Sequence, residues 1–300
     1  MPFTHHTTIG LSSPSSAILL VVLVLVSFSY LRGWRRIRGV SASTIPAWRG
    51  ASFLFGMSLV WAALGSPLVA YDHELLTVHM IQHLLLMTFA PALILLGDPL
   101  LAFSHGLPRL GKIVVGPLFR QPFAQRLGRK LSQPALCWIV SASTLMGWHV
   151  PALFAFGMHS ELWHCVEQTS FLGAGFLFWL PVIQPWPSVS TGPQWWTLLY
   201  LFLATLPCDI LSGFLVFSDR VAYPVYFSMP RHFGFSVLED QQCAAALMWT
   251  CVTLIYLVPA AILSTRLLSP RSFYRGDFAQ SEVRGSAVPP PGDPKRLEIV

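Results

Sequence analysis

Charge is scarce in this chain. Asp, Glu, Lys and Arg make up 11% of its 300 residues, and 54% are hydrophobic. An ordinary soluble domain carries about 25% charge. The deficit excludes a soluble globular protein. Lysine is scarcer still. Only Lys112, Lys130 and Lys295 occur, none within an apolar run, so a Schiff-base retinal pigment is excluded. The five cysteines, Cys137, Cys165, Cys208, Cys243 and Cys251, have no CxxC spacing. They read as small buried hydrophobes, with an accessory metal or redox role open for Cys165, Cys208 and Cys243. There is no Walker loop, no GxGxxG, no Gly-x-Ser-x-Gly, no HExxH and no internal repeat. The common nucleotide-binding and hydrolase signatures are therefore missing.

What the chain has instead is apolar length. A bilayer crossing needs about 20 mainly apolar residues. Seven runs meet this, roughly 15–32, 49–71, 74–96, 134–157, 161–183, 194–218 and 241–267. The first has no Lys or Arg before it and an Arg cluster after it, the reverse of a cleaved signal peptide. In a seven-helix arrangement, Arg32, Arg35, Arg36, Arg38 and Arg49 fall on one side. So do Arg109, Lys112, Arg120, Arg126, Arg129 and Lys130, and then Arg266, Arg271, Arg275, Arg284, Lys295 and Arg296. Only Arg220 and Arg231 fall on the other. The excess of basic residues in cytoplasmic loops predicts an N-terminus outside and a C-terminus in the cytoplasm. The net charge of +6 follows from this topology and calls for no nucleic acid.

The expected fold is all-α: a polytopic membrane bundle of seven transmembrane helices. Residues 1–14 read as a short extracytoplasmic tail and 15–268 as the transmembrane domain. Residues 269–300, with Pro289, Pro290, Pro291 and Pro294, read as a disordered cytoplasmic tail. The basic stretch 97–132 is expected to form short amphipathic helices on the cytoplasmic surface. Residues 219–240 form the longest outer loop.

Polar residues inside the apolar runs are the chemical signal. His79 and His83 are four apart, so they share one helix face. At 1.5 Å per residue, they lie about 9 and 15 Å below the outer end of their helix. The same arithmetic puts His149 at about 12 Å, His164 at about 6 Å, Glu167 at about 10 Å and Asp209 at about 13 Å. Asp240, Gln241 and Gln242 begin the last run. Ionisable residues in a membrane helix face protein or a polar cavity. Their shared depth predicts one polar site near the outer face.

Imidazole suits copper, zinc, iron and nickel, and the carboxylates serve as ligands or as partners that orient the rings. Met80, Met87, Met146 and Met158 are close in sequence, and thioether sulfur favours Cu(I). Taken singly, each group has a plainer reading. His79 and His83 suit a hydrogen-bonded pair, and His149 a ring bonded to a carbonyl freed by Pro151. His164 and Glu167 suit an ion pair, and Asp209 an interhelical acceptor. His5, His6, His73 and His159 read as interfacial or solvated.

These residues carry a family resemblance. The stretch His79-Met80-Ile81-Gln82-His83-Leu84-Leu85-Leu86 with Pro91 and Gly97 is one part of it. Trp148-His149-Val150-Pro151-Ala152-Leu153 is a second. His164-x-x-Glu167 with Phe178-Trp179, and Asp240-Gln241-Gln242 leading to Met248-Trp249, complete it. Over about residues 50–265 the chain resembles the multi-pass CtaG-like assembly factors of bacterial cytochrome c oxidase. Cys243 departs from the small or aliphatic residue expected after the Asp-Gln-Gln stretch.

The resemblance implies a non-enzymatic protein of the bacterial plasma membrane that helps make a haem–copper oxidase by delivering or inserting copper. Copper would be held by His79, His83 and one or more of His149 and His164. Glu167, Asp209 and Asp240 would orient ligands or tune exchange. The expected partners are the oxidase subunits, a copper donor protein where one exists, and the lipid bilayer. Two alternatives stay open. A haem could sit between His83 and His149, or the protein could transport copper or protons. The almost wholly apolar inner halves of the helices argue for a one-sided site and against a through-path.

Overall fold

The computed structural model describes residues 14–40, 46–106, 121–184, 195–230 and 234–268. Residues 1–13 and 269–300 lie outside these, and so do His5, His6, Arg109, Lys112, Arg120, Arg231 and the basic residues beyond Leu268. The described residues are helical and contain no strand. The helices are α1 (Pro14–Val40), α2 (Ala47–Gly65), α3 (Leu76–Leu96), α4 (Pro99–Gly106), α5 (Pro122–Leu131), α6 (Pro134–Trp148), α7 (Pro151–His159), α8 (Glu161–Ile183), α9 (Trp195–Phe217) and α10 (Val237–Leu268). Six of them are long and apolar enough to cross a membrane, and α6 with α7 make a seventh if that bent pair is one span. The protein is a multi-pass membrane protein.

Three features differ from the sequence reading, each for a local reason. α1 runs on through its Arg cluster to Val40. Its 27 residues exceed the roughly 20 that span hydrocarbon, so the basic turns extend past the apolar stretch. There Arg36 donates to the His105 carbonyl at 3.0 Å, and Arg38 lies over the Trp34 ring. The expected span 134–157 is broken. Val150 precedes a proline and takes an extended backbone (φ −65°, ψ 124°), as pre-proline crowding favours. α6 and α7 therefore meet at 74°. Third, α3 contains a π-helical turn over Leu84–Phe89, in which the Ala90 N–H bonds the Leu85 carbonyl. Pro91 has no N–H to offer Met87, four residues earlier, and this loosens the helix one turn after His83.

Small residues let the helices close up. A Cβ on Gly33 would overlap the Ala102 carbonyl of α4. A Cβ on Gly175 of α8 would overlap the Met87 carbonyl freed in the π turn. Close backbone approach at small residues is how membrane helices pack without a hydrophobic driving force. The largest core cluster joins α3 and α6 to α10 through Met80, Phe154, Phe178, Tyr226, Met248 and Tyr256. Ile18, Phe28, Phe55, Phe202, Ile210 and Phe214 stay exposed on the outer helix faces, as expected where lipid replaces water.

Candidate metal centre

At the N-terminal end of α3 the chain gathers polar groups from five elements. His79 and His83 project from one face of α3, and Glu167 faces them from α8. All three are buried. The His79 and His83 Nε2 atoms are 2.7 Å apart, and Glu167 Oε1 lies 3.5 and 3.4 Å from them. For metal–nitrogen bonds of about 2.0–2.1 Å, two ligands on a tetrahedral ion sit about 3.3 Å apart. The two edges to Glu167 are close to that, whereas the His79–His83 edge is shorter and is a hydrogen-bond distance. Both Nδ1 atoms and both carboxylate oxygens lack a hydrogen-bond partner. Buried polar atoms without partners are uncommon and call for an explanation. An ion held at the two Nε2 atoms and Glu167 would account for the open carboxylate oxygens, though not for the Nδ1 atoms.

Gly157 of α7 closes the pocket from the other side. A Cβ there would come within 2.8 Å of Glu167 Oε2. Phe154, also on α7, packs on the His79 ring at 5.0 Å between centroids, and Phe171 of α8 packs on His83 at 3.9 Å. The short broken helix therefore covers the site. An unbroken span would have carried Phe154 and Gly157 past it.

His149 occupies the break. Its Nδ1 lies 2.7 Å from the Leu145 carbonyl, which can only accept, so Nδ1 carries the proton. In the neutral ring Nε2 is then bare, and it faces the Met80 Sδ at 3.3 Å. Neither atom of that pair has a proton to give, so the site presents an imidazole nitrogen and a thioether side by side. The His149 ring is 6.3 Å from that of His83. Met80, His83 and His149 line a cavity of about 40 Å³. That is room for a few waters.

A second group lies beside the first. His164 of α8 and His73 each place Nε2 3.6 Å from an oxygen of Asp72, in the segment leading into α3. Asp72 has no exposed surface. Burial pushes its carboxyl above the usual range, against the pull of His73 and His79. The His164 ring stacks on His79 at 5.7 Å, with 17° between planes.

The Asp-Gln-Gln stretch holds this end together. Asp240 caps α3, accepting from the Leu76 N–H at 2.7 Å, the Thr77 N–H at 3.1 Å and the Thr77 hydroxyl at 2.7 Å. It fixes the helix that carries the histidines and does not itself reach them. Gln241 accepts from the Ala222 N–H at 2.7 Å and donates to the Leu215 and Arg220 carbonyls. The loop so tied inserts Tyr223 and Tyr226. Their hydroxyls donate to the His149 and Asp72 carbonyls at 3.1 and 3.2 Å.

Of the residues singled out in the sequence, His79, His83, His149, His164 and Glu167 are brought together, with Asp240 one helix turn behind. Asp209 is not. It is half-buried on α9, about 100° around the helix from its buried neighbour Cys208 and outside both His–carboxylate groups. Met80 faces the site and Met87 lines the cavity, whereas Met146 is exposed and Met158 belongs to the core. Cys165 and Cys243 are exposed, and Cys208 is buried beside Ser212. Asp72 went unread, and His73 sits beside it as part of a polar group. The adjacent Asp-His pair just ahead of the His79 helix was the available signal.

Two uncharacterized proteins, from Mycobacterium bovis and Mycobacterium tuberculosis, are each 24% identical to the chain over 259 residues. The match covers 81% of this chain and 37% of theirs, so the chain spans little more than a third of the length of these relatives. No solved structure matches. Residues 28–269 match the cytochrome c oxidase caa3 assembly factor family, a stretch that includes every member of both His–carboxylate groups. The chain belongs to the cytochrome c oxidase caa3 assembly factor family.

Proposed function

We propose that this protein binds copper at His79, His83 and Glu167 and supplies it to a haem–copper oxidase during assembly. The observation that carries the reading is the buried cluster of two imidazoles and a carboxylate, with Glu167 Oε1 3.5 and 3.4 Å from the two ring nitrogens. His149 and Met80 add a bare nitrogen and a thioether next to His83, a softer environment that suits Cu(I). A carrier must release its cargo. A three-ligand site with neighbouring donors allows ligand exchange, which a closed four-ligand structural site resists. The role is that of a carrier and not of an enzyme.

The basic residues of the sequence support a plasma-membrane arrangement with the N-terminus and this site outside and the C-terminus in the cytoplasm. The partners in this reading are the oxidase subunits and a copper donor protein. The test is the copper content of the oxidase in cells whose own copy carries Glu167→Gln. The reading expects assembled oxidase subunits that lack copper and regain activity when copper is raised. Oxidase with full copper in that strain would overturn it.

A further inference from the structure

Asp72, His73 and His164 repeat the composition of the deeper group: two imidazoles and one carboxylate. Asp72 is fully buried, and neither of its oxygens has a hydrogen-bond partner; its nearest ring nitrogens stand at 3.6 Å. A buried carboxylate calls for a cation or a donor to meet it. The buried amide of Gln82 lies beside it. The two groups differ in access. Side-chain exposure is 32% at His73 and 12% at His164, but 0% at His79, 7% at His83 and 1% at Glu167. They are also continuous. His164 and Glu167, one turn apart on α8, give one ligand to each group, and the His164 ring stacks on His79.

We propose that Asp72, His73 and His164 form a second metal site, an entry station that takes a divalent copper ion from the surface and passes it, still divalent, to His79, His83 and Glu167. The transfer half rests on reading the deeper triangle as a metal site, and the binding half does not. The donors suit such an ion: imidazole and carboxylate hold borderline divalent metals, and no thioether is placed among them. The exposed ring of His73 meets the incoming ion. His164 stands between the stations and changes neighbours by a rotation of its ring. Tyr226, bonded to the Asp72 carbonyl, holds the backbone of Asp72 in place.

The test counts copper. Full-length protein, purified in detergent through a tag without histidine, is loaded with excess Cu(II), passed through a desalting column and assayed for metal per chain. Wild type is expected to hold two ions. Asp72→Asn, His73→Ala and Glu167→Gln are each expected to hold one. His73 is partly exposed, so its alanine variant tests the site without disturbing the buried core around Asp72. In His73→Ala the deeper site should also fill at least tenfold more slowly in stopped-flow loading. Wild-type copper in both Asp72→Asn and His73→Ala would overturn the entry site and leave the deeper one standing. Loss of one ion in those two, with no loss in Glu167→Gln, would sink the deeper site and with it the transfer.

Discussion

Both ends of α3 bury polar groups in the same bundle, and they treat them in opposite ways. At the C-terminal end Asp98 pairs with Arg49 of α2. The Tyr30 hydroxyl donates to the Gly97 carbonyl at 2.7 Å and approaches the Arg49 carbonyl at 3.3 Å. The Tyr30 ring stacks on Phe53 at 3.7 Å. Charge meets charge, and the phenol finds its acceptor. At the N-terminal end two histidines and two carboxylates are buried just as deeply, but ring nitrogens and carboxylate oxygens are left without hydrogen bonds. Polar groups buried to hold a fold together are normally satisfied. In the proposed reading one end of the helix is a clamp and the other is a receptacle for an ion.

The sharpest way to break this contrast is Glu167→Gln. Removing a direct ligand should lower copper affinity by more than the roughly 100-fold upper figure for an outer partner, as read by competition with a chelator. The thermal midpoint should stay in place, because no structural hydrogen bond is lost from the carboxylate. Arg49→Ala should do the reverse. It removes the guanidinium that pairs with Asp98 and lowers stability by about 2 kcal/mol, reduced from the buried-pair figure because both side chains keep some solvent contact. Its copper content should match wild type. A change in copper binding would show that the two ends are coupled.

Gly157→Ala is a subtler probe. The added methyl meets Glu167 Oε2, and the carboxylate must swing away from the rings. Copper affinity should fall about tenfold, equivalent to about 1.4 kcal/mol, with the fold intact. An unchanged affinity would mean that Oε2 faces away from the ion. The smallest effect is expected from Tyr30→Phe. Losing the hydroxyl removes the donor to the Gly97 carbonyl and costs about 1 kcal/mol in denaturant unfolding, with no effect on metal.

How much of this was legible in the sequence differs between fold and site. The apolar runs located the spans, because helix length in a bilayer is set by its thickness. The break at Val150 was written in the residue before Pro151, but nothing local says that the emerging helix folds over the site. The spacing of His79 and His83 gave their shared face, and depth along the axis selected His149, His164 and Glu167 correctly as neighbours. The same depth rule also selected Asp209, which lies outside both His–carboxylate groups, since depth carries no information about rotation around the axis. Asp72 escaped because it precedes the helix and so had no depth to compute. Asp240 was recognised as part of the site. Its work as a cap on α3 depends on contact between residues 164 apart, which no local pattern encodes.

The most direct test is the copper count of the purified protein after anaerobic Cu(I) loading, beside His79→Ala/His83→Ala and Arg49→Ala. The account predicts stoichiometric Cu(I) in wild type and in Arg49→Ala, and its loss from the double histidine variant. Equal copper in wild type and the double variant would contradict it, and would leave the open polar groups at the end of α3 without a metal to explain them.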